Sequence, residues 1–211
     1  MLLEAALGPK IFQANSSRLI DLGYLVAPSI RFVATPKPPG RRLHAEYAEI
    51  YRRFVVENEE RNRLIAEEAN RLIDRGKSAL CLVKEIRHGE ALAALIPRAC
   101  FIHGSMDARK RAKALNDLAA KKCLCLIATA LADEGLDVPT LDAVILAGGG
   151  RSETKALQRI GRALRPAEGK AEAEIIDFYD QVPYLEEHAK KRLEIYRSEP
   201  RFKVDARAVA I

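Results

Sequence analysis

The sequence lacks several features that would assign a protein to a compartment or a class. No apolar run approaches the roughly 20 residues needed to cross a bilayer. The opening MLLEAALGPKIF has no basic start followed by an apolar core and a small-residue cleavage site, so we expect no secretory signal in it. We therefore expect no membrane partner and a cytoplasmic location. The cysteines form no CxxC pair and have no histidine at metal-ligand spacing, which favours reduced core thiols and no metal site; they are Cys81, Cys100, Cys123 and Cys125.

Motifs of several enzyme classes are also missing. No GxxxxGK[ST] phosphate loop occurs, and the run GGGRS from Gly148 to Ser152 lacks the lysine of that loop. Without this loop and an acidic metal-binding motif, the chain cannot hold Mg-ATP by itself in the usual way. The four histidines are scattered, so neither a Ser-His-Asp arrangement nor a zinc or haem site finds support.

The composition indicates a globular protein of one sizeable domain. The 211 residues are too few for a motor of two lobes, and 48% hydrophobic with 30% charged residues is typical of a soluble fold. The net charge of +6 favours a polyanionic partner, because clustered Lys and Arg displace the counterions of a phosphate backbone. A merely well-solvated surface explains this charge equally well.

The pattern of apolar residues predicts a doubly wound α/β domain. Breakers at Pro36-Lys37-Pro38-Pro39-Gly40 indicate a linker, and residues 43–75 are charged and helical with a restart near Asn58. Near-continuous apolar strands then alternate with amphipathic helices, which predicts a parallel sheet covered on both faces, a three-layer α/β/α fold. The predicted strands are Ile30–Ala34, Ala79–Val83, Ala99–Ile102, Cys123–Ala128, Ala143–Leu146 and Ala173–Ile176, and the predicted helices are Ile86–Leu95, Asp107–Ala120, Glu153–Leu164 and Tyr184–Arg197.

Candidate functional residues follow two of the predicted strands, where ligands bind in such folds. His103 and Gly104 precede a helix start suited to phosphate binding, although an ordinary turn fits equally well. Thr129 ends a strand, and the turn from Gly135 to Asp137 follows it. At one edge of the sheet, the hydroxyl could donate to a phosphate and the carboxylate could accept from a hydroxyl, whereas Asp137 could equally cap the turn before Pro139.

A third segment, QRIGRALRP from Gln158 to Pro166, carries two arginines three residues apart. On a helix, the side chains of Arg162 and Arg165 emerge from one face. Two adjacent guanidinium groups can neutralise charge on a transferring phosphoryl group, which is how an arginine finger acts. The alternative is a pair of surface arginines in salt bridges.

In this order and spacing, the segments resemble the second RecA-like domain of superfamily 2 helicases. The likeness extends over nearly the whole chain. The strand Ala79–Val83, Ile102-His103-Gly104 with Arg111, residues 128–139 and residues 158–165 resemble successive motifs of that domain. The Gln that opens QRIGRALR stands where DEAD-box proteins have His, so the chain resembles the XPB-like and phage repair helicases. Residues 1–40 resemble a remnant of the first motor domain with its linker, and residues 41–211 the C-terminal RecA-like domain.

The resemblance implies a role for each candidate residue. Arg162 and Arg165 would contact the γ-phosphate of ATP bound to the other lobe, with Gln158, Asp137 and Gly135 close to the nucleotide. The implied contacts with the nucleic-acid backbone come from Thr129, His103 and Gly104. ATP and Mg²⁺ would be held mainly by an N-terminal P-loop domain, which this chain lacks. The implied partners are that domain and DNA, single- or double-stranded, bound without regard to sequence.

Two other functions remain open from the sequence. The chain could be a nucleic-acid-binding or regulatory module that needs no partner lobe. It could also be a different α/β enzyme, such as a small-molecule transferase that uses Gly148 to Gly150 as a phosphate loop, although a lone glycine run is weak support.

Overall fold

The computed structural model describes residues 16–38, 45–129, 141–149, 161, 164–167, 169–207 and 209. Their strands are β1 (Ala27–Ala34), β2 (Ala79–Val83), β3 (Ala99–Ile102), β4 (Cys125–Thr129), β5 (Ala143–Ile145), β6 (Glu172–Tyr179) and β7 (Lys203–Asp205). These strands form one parallel sheet in the order β3-β4-β2-β5-β6-β1-β7. The predicted parallel sheet is therefore confirmed.

Helices surround this sheet. They are α1 (Ser16–Asp21), α2 (Tyr47–Tyr51), a π-helical turn (Arg52–Val56), α3 (Glu59–Asp74), α4 (Ile86–Leu95), α5 (Ala108–Ala119) and α6 (Leu185–Arg197). Asn58 accepts a hydrogen bond from the Arg61 amide at 3.1 Å and so caps α3, which confirms the predicted restart. Among the helices that the structure describes, none is long and apolar enough to cross a bilayer.

The core lies on both faces of the sheet because alternate residues of each strand point in opposite directions. Leu80 and Leu82 of β2 pack into one cluster, which α5 and α6 cover. Cys81 and Val83 of the same strand pack into the other cluster with α3 and α4. All five residues of β2 are buried, as expected for a central parallel strand. This arrangement is the predicted three-layer α/β/α fold.

A third apolar cluster covers part of the carboxyl edge of the sheet. It joins α2 and the π-helical turn to the segment between β6 and α6; its buried members are Ile50, Tyr51, Val55, Val56, Val182 and Leu185. The elements before α3 therefore pack over the edge where function was predicted.

The predicted elements agree with the structure where the pattern is local. Strands β2 and β3 and helix α4 have the predicted bounds, while β6 extends to Tyr179 and β1 begins at Ala27. Strand β7 was not predicted, since its three residues carry a weak apolar signal. Strand β1 precedes the domain boundary predicted near residue 40, yet it pairs with β6 and β7 in the same sheet. Whether residues 1–40 derive from a first motor domain stays a prediction.

The cysteines are free thiols in or against the core. Cys81, Cys123 and Cys125 are buried and Cys100 is half-buried. Burial raises the pKa of Cys81 and of Cys123 to about 12, so both thiols are protonated and unreactive at neutral pH. This state agrees with the predicted role as core residues.

Candidate functional site

The ends of β3 and β4 bring two of the predicted site residues together. In the sheet register Ile102 pairs with Ala128, and Val83 pairs with Thr129. His103 and Thr129 therefore leave neighbouring strands at the same level, and such strands lie about 4.8 Å apart. Both residues stand at the carboxyl edge of the sheet, as the sequence predicted.

Thr129 is held with its hydroxyl inside the protein. The residue is 4% exposed, and its Oγ1 has no hydrogen-bond partner within the part of the chain that the structure describes. A buried hydroxyl without a partner costs about 1–3 kcal/mol. The hydroxyl therefore has bonding capacity left for a group that approaches the end of β4.

The loop after β3 is fixed from both of its ends. The ring Nδ1 of His103 lies 2.8 Å from the Ser105 hydroxyl, and Arg111 donates from Nη1 to the Gly104 carbonyl at 2.9 Å. Asp107 caps α5 by accepting from the Arg109 amide at 2.8 Å. Gly104 is exposed, so its backbone is accessible from solvent. Arg111, which the resemblance grouped with this loop, positions it.

The structure adds two residues that the sequence did not single out, Lys84 and Gly148. Lys84 follows β2, beside Thr129, and is exposed. Gly148 follows β5 and packs so closely that a Cβ on it would lie 2.8 Å from the Lys84 amide nitrogen. We call Lys84, His103, Gly104, Thr129 and Gly148 the carboxyl rim. The sequence presented Gly148 only as part of a glycine run. Its close approach to the end of β2 could not be predicted, because it depends on the order of the strands.

The glycine run does not form a phosphate loop around Gly148. The Gly148 amide donates to the Leu82 carbonyl at 2.7 Å, and the Tyr51 hydroxyl donates to the Gly148 carbonyl at 2.9 Å. Both backbone groups of this glycine are therefore engaged within the protein. Gly150 lies outside the described residues.

Arg165 lies near the amino ends of the strands, at the opposite edge of the sheet from Thr129. The Leu164 carbonyl accepts from the Val26 amide at 2.8 Å, next to the amino end of β1. Lys170 donates from Nζ both to the Arg165 carbonyl and to that of Leu141, which precedes β5. The structure thus separates Arg165 from the carboxyl rim by the length of the strands.

The local structure at Arg165 corrects one detail of the prediction. Gly161 is helical, but Leu164 is in a turn and Arg165 is at a bend, so Arg165 lies beyond the helix that was expected to carry it. Its side chain is exposed. Leu164 is buried and belongs to the core cluster that contains Ile30 and Phe32 of β1. Arg162, Gln158, Asp137 and Gly135 lie outside the described residues.

Two buried ion pairs fix the end of β6 next to the carboxyl rim. Arg61 binds Asp180 through Nε at 2.8 Å and Nη2 at 3.1 Å. Arg192 binds Asp177 through Nε and Nη2, each at 2.8 Å. Burial lowers the pKa of Arg192, but the Asp177 carboxylate more than offsets this effect and holds it above its usual value. These pairs hold α3 and α6 on opposite faces of β6.

No metal site is found among the residues that the structure describes. In these ranges no three His, Cys, Asp or Glu side chains converge on a point where an ion could bind.

Comparison with known proteins identifies what this chain resembles. Residues 60–167 match the model of the family described as "Helicase conserved C-terminal domain". The chain is 32% identical over 117 residues to "Putative helicase 22" of a Sulfolobus islandicus filamentous virus, covering 53% of this chain and 21% of that protein. It is 31% identical over 114 residues to "ATP-dependent rRNA helicase RRP3" of Debaryomyces hansenii, covering 52% of this chain and 24% of that protein.

Solved structures share the fold. The T4 protein UvsW superposes with a TM-score of 0.67 at 23% identity, over 85% of this chain and 40% of UvsW. This likeness confirms the predicted fold class. The chain spans about a quarter or less of the length of the two relatives named above.

Proposed function

The chain belongs to the helicase conserved C-terminal domain family of superfamily 2, and from this premise we propose that it is the C-terminal motor domain of an ATP-dependent DNA helicase or translocase. The observation that carries the proposal is the family match over residues 60–167. The sheet also brings Thr129 beside His103. The relatives named above act as helicases by their names, and one of them is an rRNA helicase. The choice of DNA rests on Gln158, which stands where DEAD-box proteins have His.

The nucleic-acid contact in this proposal is the carboxyl rim. The buried Thr129 hydroxyl donates to a phosphate oxygen, and the backbone at His103 and Gly104 contacts the next one. Because Arg111 and Asp107 fix the loop that carries His103 and Gly104, the contact made by this loop needs little reorganisation on binding. Contacts with phosphates position a strand and read no sequence, which suits a protein that moves along any sequence.

The nucleotide contact lies elsewhere. We propose that Arg165, with Arg162, reaches the γ-phosphate of ATP, whose Mg²⁺ and phosphates are held mainly by an N-terminal P-loop domain. Gln158, Asp137 and Gly135 lie near the nucleotide in this proposal. Two observations support it: the side chain of Arg165 is exposed, and Arg165 lies across the sheet from Thr129. An ATP bound there leaves the carboxyl rim free for the strand.

Movement follows from this separation of the two contacts. When ATP draws the P-loop domain onto Arg165, the whole parallel sheet moves as one body, and the carboxyl rim moves with it. Hydrolysis removes the γ-phosphate that the arginines hold, so the two domains separate. Repeated closure therefore shifts the rim along the strand.

The test of the rim is a pair of threonine variants. Thr129→Val removes the hydroxyl and keeps the shape of the side chain. We expect it to lower affinity for single-stranded DNA by about 10- to 150-fold, since a hydrogen bond to a charged group contributes about 1.5–3 kcal/mol. Thr35→Val is the matched control: Thr35 is also buried at the carboxyl end of a strand, but its hydroxyl donates to the Tyr179 carbonyl.

The measurement is a fluorescence anisotropy titration with DNA and with RNA of the same length, over a range of salt concentrations. Affinity that falls with salt and is lost in Thr129→Val but kept in Thr35→Val supports the proposal. Equal loss in both variants would remove Thr129 from its role. Tighter binding of RNA than of DNA would identify RNA, and not DNA, as the substrate.

A further inference from the structure

Three tyrosines form a cluster on the carboxyl edge that the proposed function does not use. The rings of Tyr47 and Tyr184 meet at right angles with centroids 6.1 Å apart, and those of Tyr47 and Tyr51 lie 5.9 Å apart. We call Tyr47, Tyr51 and Tyr184 the tyrosine platform. Tyr51 is buried and Tyr47 half-buried, whereas Tyr184 is 44% exposed. The platform thus presents one aromatic ring to solvent on a packed base.

The platform is anchored to the sheet at its base. The Tyr51 hydroxyl donates to the Gly148 carbonyl at 2.9 Å, and Gly148 packs against the backbone of Val83 and Lys84. Tyr47 also contacts the ring of His188 in α6, with centroids 5.6 Å apart. These contacts pack Tyr47 of α2 against α6.

Tyr184 has a backbone conformation that its side chain disfavours. Its φ is 64°, in the left-handed region that non-glycine residues rarely adopt, and it stands between Pro183 and the start of α6. Such a conformation costs about 1–3 kcal/mol and is found most often at functional sites. Much of the ring remains in water, so burial of the side chain does not account for an aromatic residue at this strained position.

A cation stands directly beside the rings. The Lys84 ammonium lies 4.7 Å from the Tyr51 centroid and 5.6 Å from that of Tyr47. The Glu186 carboxylate, two residues after Tyr184, is paired with Lys190 at 2.8 Å and accepts from the Tyr179 hydroxyl at 2.9 Å. Its negative charge is therefore largely offset within α6. A platform with one exposed ring, and with a lysine beside its two inner rings, suits a ligand that has a flat base and a phosphate.

The strand order puts this platform in line with Thr129. The chain leaves β2 towards β3 on one side of the sheet and leaves β5 towards β6 on the other, so β2 and β5 flank the point where the topology reverses. Ligands of open α/β sheets bind at the carboxyl edge at this point. Lys84 and Gly148 stand there, with Thr129 on the strand next to β2. Four strand spacings separate β3 from β6, about 19 Å, which gives room for several consecutive nucleotides.

We propose that Tyr184, supported by Tyr47, stacks on one base of a single-stranded nucleic acid whose phosphates pass Lys84 and Thr129. Stacking tolerates every base, so the site fixes the position of the strand without reading its sequence. The proposal rests on the proposed function, because it needs the same strand to cross the carboxyl rim.

The test compares variants that remove the ring with variants that keep it. Tyr184→Asn removes the ring, and Asn tolerates the left-handed conformation, so the fold is not strained further. Tyr184→Phe keeps the ring without its hydroxyl. Tyr24→Asn is the matched control, since Tyr24 is 67% exposed and lies near the amino end of β1. Each protein is titrated with an oligodeoxythymidine and with the same oligonucleotide carrying one abasic position moved along its length.

We expect Tyr184→Asn to weaken binding by about 5- to 150-fold, the range for loss of one base-aromatic stack. Tyr184→Phe and Tyr24→Asn should bind like the wild type. One abasic position should weaken binding to the wild type and have no further effect in Tyr184→Asn. The chain contains no tryptophan, so Tyr184→Trp adds a single reporter whose fluorescence a stacked base should quench.

Four outcomes would overturn the inference, and they are distinguishable. Wild-type affinity in Tyr184→Asn, or equal loss in Tyr184→Phe, would reject stacking while leaving the rim contact intact. Equal loss in Tyr24→Asn would show that the loss of affinity is not specific to the platform. If the wild type binds no oligonucleotide, the proposed function fails together with the inference.

Discussion

At the scale of single residues, a fully buried arginine tests how α3 packs against the end of β6. Arg61 is fully buried, binds Asp180 through two nitrogens and lies with its guanidinium 5.2 Å from the Phe178 ring centroid. Arg63, two residues on, pairs with Glu59 at the surface, where the side chains are 65% and 84% exposed. The same residue type thus occupies two different environments within one turn of α3.

Because Arg61 is buried and Arg63 is exposed, we expect their replacement by alanine to lower the free energy of unfolding by very different amounts. Arg61→Ala should lower the free energy of unfolding by about 3–5 kcal/mol, because it leaves the Asp180 carboxylate buried without its partner. Arg63→Ala should change it by less than about 1 kcal/mol, since an exposed ion pair is screened by solvent. Urea denaturation measures both, and similar losses in the two variants would contradict the described packing of α3.

The sequence could not distinguish these two arginines. Both lie in the charged run EERNR, and the partner of Arg61 is 119 residues away. The same limit applies to Tyr47, Tyr51 and Lys84, which come together only when α2 packs over the end of β2. In contrast, the position of His103 and Thr129 at the carboxyl edge of the sheet could be predicted, since each directly follows an apolar run.

At the scale of elements, one histidine links three helical segments. The His88 Nε2 of α4 lies 3.0 Å from the Asn62 side-chain oxygen of α3, and Asn62 donates to the carbonyl of Val56 at the end of the π-helical turn, also at 3.0 Å. Burial lowers the pKa of His88 to about 3, with the nearby charge of Arg61 adding to this effect. The imidazole is therefore neutral in the folded protein.

A dependence of stability on pH follows from this shift. An unfolded histidine has a pKa near 6.5, so between about pH 6.5 and 3 the unfolded chain binds a proton that the folded chain excludes. Stability should fall as the pH decreases through this window, by up to about 1.4 kcal/mol per pH unit for this group. His88→Gln should show a shallower decrease than the wild type when unfolding is measured from pH 7 to pH 4.

An unchanged slope in His88→Gln would mean that His88 is not the group whose burial resists protonation.

The bounds of the elements were predictable to the extent that their signals are local. Asn58 and Asp107 cap helices that begin where the sequence indicates, because a side-chain oxygen before an amphipathic run defines a helix start. Strand β7 could not be found in this way, since it is three residues long and depends on pairing with β1. Leu164, where the sequence predicts the last helix before Arg165 to end, lies in a turn and packs into the core.

At the scale of the whole molecule, the sheet order determines how the candidate residues are divided. The periodicity predicts parallel strands and two covered faces, but the order of the strands follows from pairings between distant segments. That order puts Lys84 beside Thr129 and puts Arg165 near the amino ends of β1 and β5. In the proposed function, nucleic acid therefore binds at one edge of the sheet and the nucleotide at the other.

The central claim is that this chain supplies half of an ATP-driven motor. It is tested by ATP hydrolysis measured for this chain alone, for a P-loop helicase domain alone and for the two together, each with and without DNA. The combined domains are then assayed again with Arg165→Ala in this chain. Arg197→Ala serves as the control, because Arg197 is also an exposed arginine.

We expect no turnover by either domain alone and DNA-stimulated turnover by the two together. Arg165→Ala should lower that turnover by about 10³- to 10⁵-fold, the range for loss of an arginine finger, while DNA affinity and the Arg197→Ala control stay close to the wild type. Turnover by this chain alone, or full turnover in Arg165→Ala, would contradict the account. Salt-sensitive DNA binding without turnover in the combined domains would instead identify a nucleic-acid-binding module.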